Sequence, residues 1–140
     1  MVHALEEIRR VLIQDGILLD LHPVAERWPI EIVRGNDTLV TGRITDLPSA
    51  LDDDRAADVA IEEAIRRGWF IRKKKVFFEY NEYWDNPDEL IEHVTEQWSS
   101  FSQLGDDVQK ATRNAWKTAS DNWRLRIKFK MLLNHMQKLL

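Results

Sequence analysis

The chain has 140 residues, 44% hydrophobic and 31% charged, with a net charge of −4, enough for one globular domain that buries roughly two-thirds of its unfolded surface. It contains no cysteine, which excludes disulfides, thiolate metal sites and cysteine nucleophiles and fits a reducing cytoplasm. No apolar run approaches about 20 residues and the first residues include acids, so neither a spanning helix nor a secretory signal is expected, and the acidic balance argues against general nucleic-acid binding.

Leu5, Ile8, Val11 and Leu12 recur at three- and four-residue spacing, with Glu6, Glu7, Arg9 and Arg10 opposite, which predicts an amphipathic helix over Ala4 to Leu12. Asp15-Gly16 stops it, with Gly16 expected in the left-handed conformation of a C-terminal cap. Ile17 to Leu21 is short and nearly all apolar, the pattern of a strand covered on both faces, and Pro23 ends it. Trp28 to Val33 and Thr38 to Ile44 flank Arg34-Gly35-Asn36-Asp37, which is hairpin chemistry. After the turn at Asp46 to Ser49, Asp52, Asp53 and Asp54 read as the acidic start of a helix over Ala56 to Ile65, closed by Arg66-Arg67-Gly68. The same triplet suits a hard cation, but three consecutive helical residues point in three directions, which favours capping.

Trp69 to Tyr83 is a long strand rich in aromatic and basic residues. Asn86-Pro87-Asp88-Glu89 supplies a cap, a proline at the first helical position and an acid at the third, opening a helix with Leu90, Ile91, Val94, Trp98 and Phe101 inward. Gly105 interrupts, and Asp106 or Asp107 caps a further helix along Val108, Ala111, Ala115 and Ala119. Trp123 to Lys130 then alternates strictly, placing Arg124, Arg126, Lys128 and Lys130 on one face of a half-exposed strand. The apolar residues from Met131 to Leu140 suit either a continued strand or a short helix. No internal repeat appears, so one domain over 1–140 is the economical reading.

The segment Arg10-Val11-Leu12, Asp15-Gly16 and Ile17-Leu18-Leu19 resembles the late core of the class I S-adenosylmethionine-dependent methyltransferases. There a helix ending R-V-L-x-x-G-G enters the fifth strand of a seven-stranded sheet; Asp15 stands here where that family usually has its first glycine. About 20 residues carry the likeness closely, and the order of later elements extends it more loosely to the C-terminus. The resemblance implies an α/β (or α+β) fold with a mixed sheet of about five strands, including the inserted hairpin, and about four helices. It also implies that the final strand runs antiparallel between the strands at Ile17 and Trp69. The hairpin is a departure, since many members place a helix after the fifth strand.

Only Gly16, Gly35, Gly42, Gly68 and Gly105 are present, and no two lie close enough for a phosphate-binding loop. By the resemblance, the glycine-rich turn and the ribose-holding acid would both precede this segment, so the chain corresponds to a C-terminal portion that binds no cofactor alone and would meet S-adenosylmethionine only if completed.

His22 stands just past the expected strand end, the edge at which open α/β sheets hold ligands, with Asp20 two residues before it. A base, a substrate ligand and a plain loop histidine are all open, the last favoured because no paired acid or nucleophile is visible. Trp28 and Trp84 lie beside turns, and Tyr83 clusters locally with Tyr80 and Trp84; Trp28, Tyr83 and Trp84 are the other substrate-binding candidates, against a core-packing reading that explains most of the six tryptophans. The four histidines have no metal spacing, so no metal is assigned. Arg72 to Lys75 and the basic strand raise a nucleic-acid reading, but nearby acids favour a solvated face.

In the family fold the strand at Ile17 is interior; here its upstream neighbour is missing, leaving an apolar edge that seeks a cover. The expected interface involves Leu5, Leu12, Ile17, Leu19 and Leu21, in a two-fold homodimer or with a complementing chain. Three functions follow: a methyltransferase-related interaction or substrate-recognition module, the substrate-binding part of an enzyme completed elsewhere, or an unrelated small α+β binding domain.

Overall fold

The computed structural model describes residues 2–24, 27–119 and 122–139. In chain order they form α1 (Val2–Val11), β1 (Ile17–Pro23), the hairpin β2 (Pro29–Arg34) and β3 (Asp37–Arg43), a two-residue β4 (Thr45–Asp46), α2 (Pro48–Arg66) and β5 (Phe70–Trp84). There follow α3 (Pro87–Glu92), which runs into a π-helical turn at His93–Gln97, a two-residue β6 (Ser102–Gln103), α4 (Asp106–Thr118) and β7 (Arg124–Lys138). The class is mixed α/β: four helices and a five-stranded sheet in which β7 pairs with β1, β2 and β5. The registers described for β1, β2 and β3 are all antiparallel. The chain gathers into two compact units, residues 1–24, 51–78 and 131–140 in the first and 25–50 and 79–130 in the second.

In the first unit β1 runs antiparallel to the end of β7, with Ile17 opposite Gln137, Asp20 opposite Asn134 and Pro23 opposite Met131. Residues 131–138 therefore continue the strand, as the backbone partners offered by β1 require. Leu5 of α1, Ala60, Ile61 and Ala64 of α2, Phe70 of β5 and Met136 of β7 form the core, with Ile8, Leu12 and Leu18 packed at its margin. Small residues on α2 let that helix approach the sheet closely.

Several expectations are corrected here. Val11 does not join the inward stripe; it is 65% exposed. At the end of α1 the left-handed residue is Asp15, at φ +59; Gly16 is required for space, because a Cβ there would lie 2.8 Å from the Ile13 carbonyl oxygen. β1 is not covered on both faces: Ile17, Leu19 and Leu21 are 57%, 61% and 56% exposed. The three aspartates do not begin α2 either. That helix starts at Pro48, whose missing N–H costs nothing at a first turn, and Asp52 instead receives an Arg55 guanidinium one turn on, at 3.3 Å.

In the second unit β2 lies between β3 and the start of β7. Gly35, at φ +57, is the first residue of the two-residue turn, where a positive φ lets the hairpin keep the strand twist. A register shift between Ile30 and Glu31 bends the ladder opposite Gly42. There α4 presses so close that a Cβ on Gly42 would collide with the Val108 side chain. Thr41 and Thr112 hydroxyls hydrogen-bond at 2.8 Å at the same approach. The Asn86 cap forms as expected, its Oδ1 accepting from the Glu89 N–H at 2.9 Å. α4 is capped by Gly105, and Asp106 and Asp107 fall in its first turn instead.

Candidate functional site

Strand periodicity sends Asp20 and His22 to the same face of β1, the face α2 covers. Asn134 faces them from β7, directly opposite Asp20 in register. It is 1% exposed, and its Nδ2 donates to Asp20 Oδ2 at 2.8 Å. The other Asp20 oxygen lies 3.2 Å from His22 Nδ1. On the far side of the imidazole, Nε2 stands 3.8 Å from Asp58 Oδ1.

Asp54 lies one turn before Asp58 on α2. Burial pushes its carboxyl pKa above the ordinary value, the His22 charge opposes that shift, and Asp58 and Asp53 reinforce it. The chemistry follows from these contacts. With Asp20 accepting from Nδ1–H, a neutral His22 presents its Nε2 lone pair; a protonated ring bridges Asp20 on the strand to Asp58 on the helix. No group of three metal-ligating side chains occurs among the described residues.

The site thus pairs His22 with Asp20, its near neighbour in sequence, and sets it beside Asp58 of α2, which no spacing links to it. Asp20 was visible at two-residue spacing, and Asp54 and Asp58 carry an i,i+4 signal on one helix face. Asn134 had no signal, because only the strand register brings it to Asp20.

Trp28, Tyr83 and Trp84 belong to the second unit and do different work. Trp28 is buried, its ring 4.8 Å from Phe129 and 6.4 Å from Trp98 in edge-on contacts. Trp84 is buried too, against His93 at 5.4 Å and Trp98 at 6.4 Å. These two anchor an aromatic core. Tyr83 is exposed, with the Arg124 guanidinium 5.2 Å above its ring. Beside α4, a recess of about 140 Å³ lined by Ile32, Leu39, Ala115 and Trp123 is well below the usual volume of a small-molecule pocket.

The basic strand is neutralised within its own unit. Arg124 bonds Asp85 at 3.1 Å and Lys128 stands 3.6 Å from Glu79. Arg126 donates to Glu31, its cross-strand partner, at 2.7 Å. Burial pulls the Arg126 pKa down, but hydrogen bonds to Glu31 and Tyr83 outweigh it and leave the guanidinium more firmly protonated than usual. A phosphate backbone would have to displace these carboxylates.

Among the interface candidates, Leu5 lies in the core and Leu12 is packed against it, so neither offers an open surface. Ile17, Leu19 and Leu21 are open. β1 is also an end strand of the sheet order, paired among the described strands only with β7. No protein-family model matches this chain, and no curated protein matches it either.

Proposed function

We propose that the chain is a methyltransferase-related C-terminal domain that binds no cofactor alone and acts as an interaction or substrate-recognition module. The observation that carries this reading is the place of β7: the last strand pairs antiparallel with β1 and pairs also with β5. That neighbourhood is the one the likeness at Arg10 to Leu19 requires, and it speaks against the unrelated-domain alternative. The open edge of β1 and the isolated glycines fit a chain that needs another to complete it. A second copy across a two-fold axis and a separate chain would both meet that need.

Calorimetric titration with S-adenosylmethionine tests the reading. No saturable heat is expected up to about 1 mM ligand, where an affinity near −4 kcal/mol would begin to register; a micromolar dissociation constant would overturn it.

The Asn134–Asp20–His22 contacts favour one second reading, the substrate-binding part of an enzyme completed in trans. Asp20 would then orient His22, whose Nε2 would accept a hydrogen bond from the methyl acceptor. Acceptor binding lost in Asp20→Asn but kept in Asp58→Asn would separate this reading from a purely structural bridge.

A further inference from the structure

In the first unit, Leu18, Phe70 and Met136 point into the core beneath α1 and α2, and Arg72 reaches Glu62 of α2 at 2.6 Å. Strand alternation therefore sends the intervening residues to the opposite face. Ile17, Leu19 and Leu21 of β1 stand open there, as do Ile71 and Phe77 of β5. In register with Leu19 and Leu21 on β7 are His135 and Leu133. An α/β sheet normally buries such a face under a second helical layer.

The charge on this face is net positive. Lys73 and Lys75 are exposed and make no ion pair with any described residue, and Lys75 Nζ lies 5.6 Å from the centre of the Phe77 ring. Asp20 is turned inward to Asn134 and residues 70–78 and 131–138 contain no Asp or Glu; the carboxylate met on this face is at its end, Asp15, whose Oδ1 accepts from Gln137, the register partner of Ile17, at 3.2 Å. The chain as a whole is nevertheless acidic, at −4. A second copy placed by a two-fold axis would oppose this patch to itself, setting two lysines and one aspartate against the same net positive charge, an arrangement that electrostatic complementarity disfavours.

We propose that this open sheet face is the docking site of an acidic amphipathic helix from another polypeptide, its apolar stripe on Ile17, Leu19, Leu21, Ile71 and Phe77 and its flanking carboxylates at Lys73 and Lys75. The inference rests on reading the chain as an interaction module, and not on the proposed methyltransferase kinship. Cofactor titration therefore bears on that kinship, and peptide titration bears on the docking site.

The probe is a helical peptide of about 18 residues, some five turns long, with leucines on one face and glutamates along both flanks. Its control carries lysines in place of the glutamates. Titrated calorimetrically into the full chain, the acidic peptide binds at least ~10-fold tighter than the basic one, a difference of about 1.4 kcal/mol, and salt weakens it. The double variant Lys73→Glu/Lys75→Glu reverses the preference, and Leu19→Asp weakens both peptides. All three positions are exposed, and circular dichroism verifies that the variants fold. Equal binding of the two peptides, binding of neither, or a dimer of the free chain that Leu19→Asp dissociates would each overturn the proposal.

Discussion

The two units treat the same kind of strand in opposite ways. In the second, the basic face of β7 meets Asp85, Glu31 and Glu79, and the apolar face meets an aromatic cluster around Trp28, Trp84 and Phe129. In the first, Ile17, Leu19 and Leu21 of β1 stand open and the lysines of β5 meet no acid. The second unit also has an end strand, β3, with Leu39 and Val40 exposed, but the charges of its basic strand are met within it. A unit that leaves an apolar face and a strand edge open has those groups available for recognition.

The contrast can be broken most severely from inside the closed unit. Trp28→Ala removes a buried ring from the aromatic core and is expected to cost about 3–5 kcal/mol, read by urea unfolding. Arg126→Met leaves Glu31, itself 5% exposed, without its guanidinium. Breaking such a buried pair from one side costs about 3–5 kcal/mol, whereas replacing both partners by apolar residues is near neutral. A thermal series on Arg126→Met and the double variant Arg126→Met/Glu31→Leu checks this, and equal losses in the two would show that the pair is not the cause.

The open unit responds less, and in the opposite sense. Because burial raises the Asp54 pKa in the folded state, the folded chain holds that proton more tightly than the unfolded one. Asp54 therefore detracts from stability at neutral pH, and the penalty fades as pH falls through its folded pKa. Asp54→Asn should raise the neutral-pH melting temperature and flatten its pH dependence.

Glu63 behaves conversely. Hydrogen bonds from Arg66 and Arg67 hold its carboxyl at about 2, against 4.5 ordinarily. Its small contribution is thus complete above about 4.5 and is lost as pH falls toward 2. Glu63→Gln should lower stability slightly above about pH 4.5, leave it unchanged near pH 2, and so flatten the acid limb of a stability curve. Leu19→Asp, at an exposed position, should change stability by less than about 0.5 kcal/mol while weakening partner binding.

Much of the closed unit was legible in the sequence because its signals are local. Arg34-Gly35-Asn36-Asp37 turns a hairpin, Asn86 caps α3, and the alternation from Arg124 to Lys130 survives intact in β7. The open unit was read less well, since its decisive facts are long-range. The run Ile17 to Leu21 looks buried on both faces, and only the layer arrangement reveals that one side lacks a cover. Asp15 takes the left-handed position beside a glycine that seemed the obvious candidate. The three aspartates carry a stronger start signal than Pro48, where the helix begins. At the His22 site, Asn134 is 114 residues from Asp20 along the chain, a pairing that no spacing rule can supply.

Residue-resolved amide hydrogen exchange on the dilute chain tests the contrast between the units most directly. β2 is paired on both edges, with β3 and β7, whereas β1 is paired on one, with β7. The account predicts slow exchange along β2 and, in β1, slow exchange only at amides directed to β7, with the rest near unprotected rates. Slow exchange at every amide from Leu18 to His22 would mean that the edge is already covered, and would contradict the account.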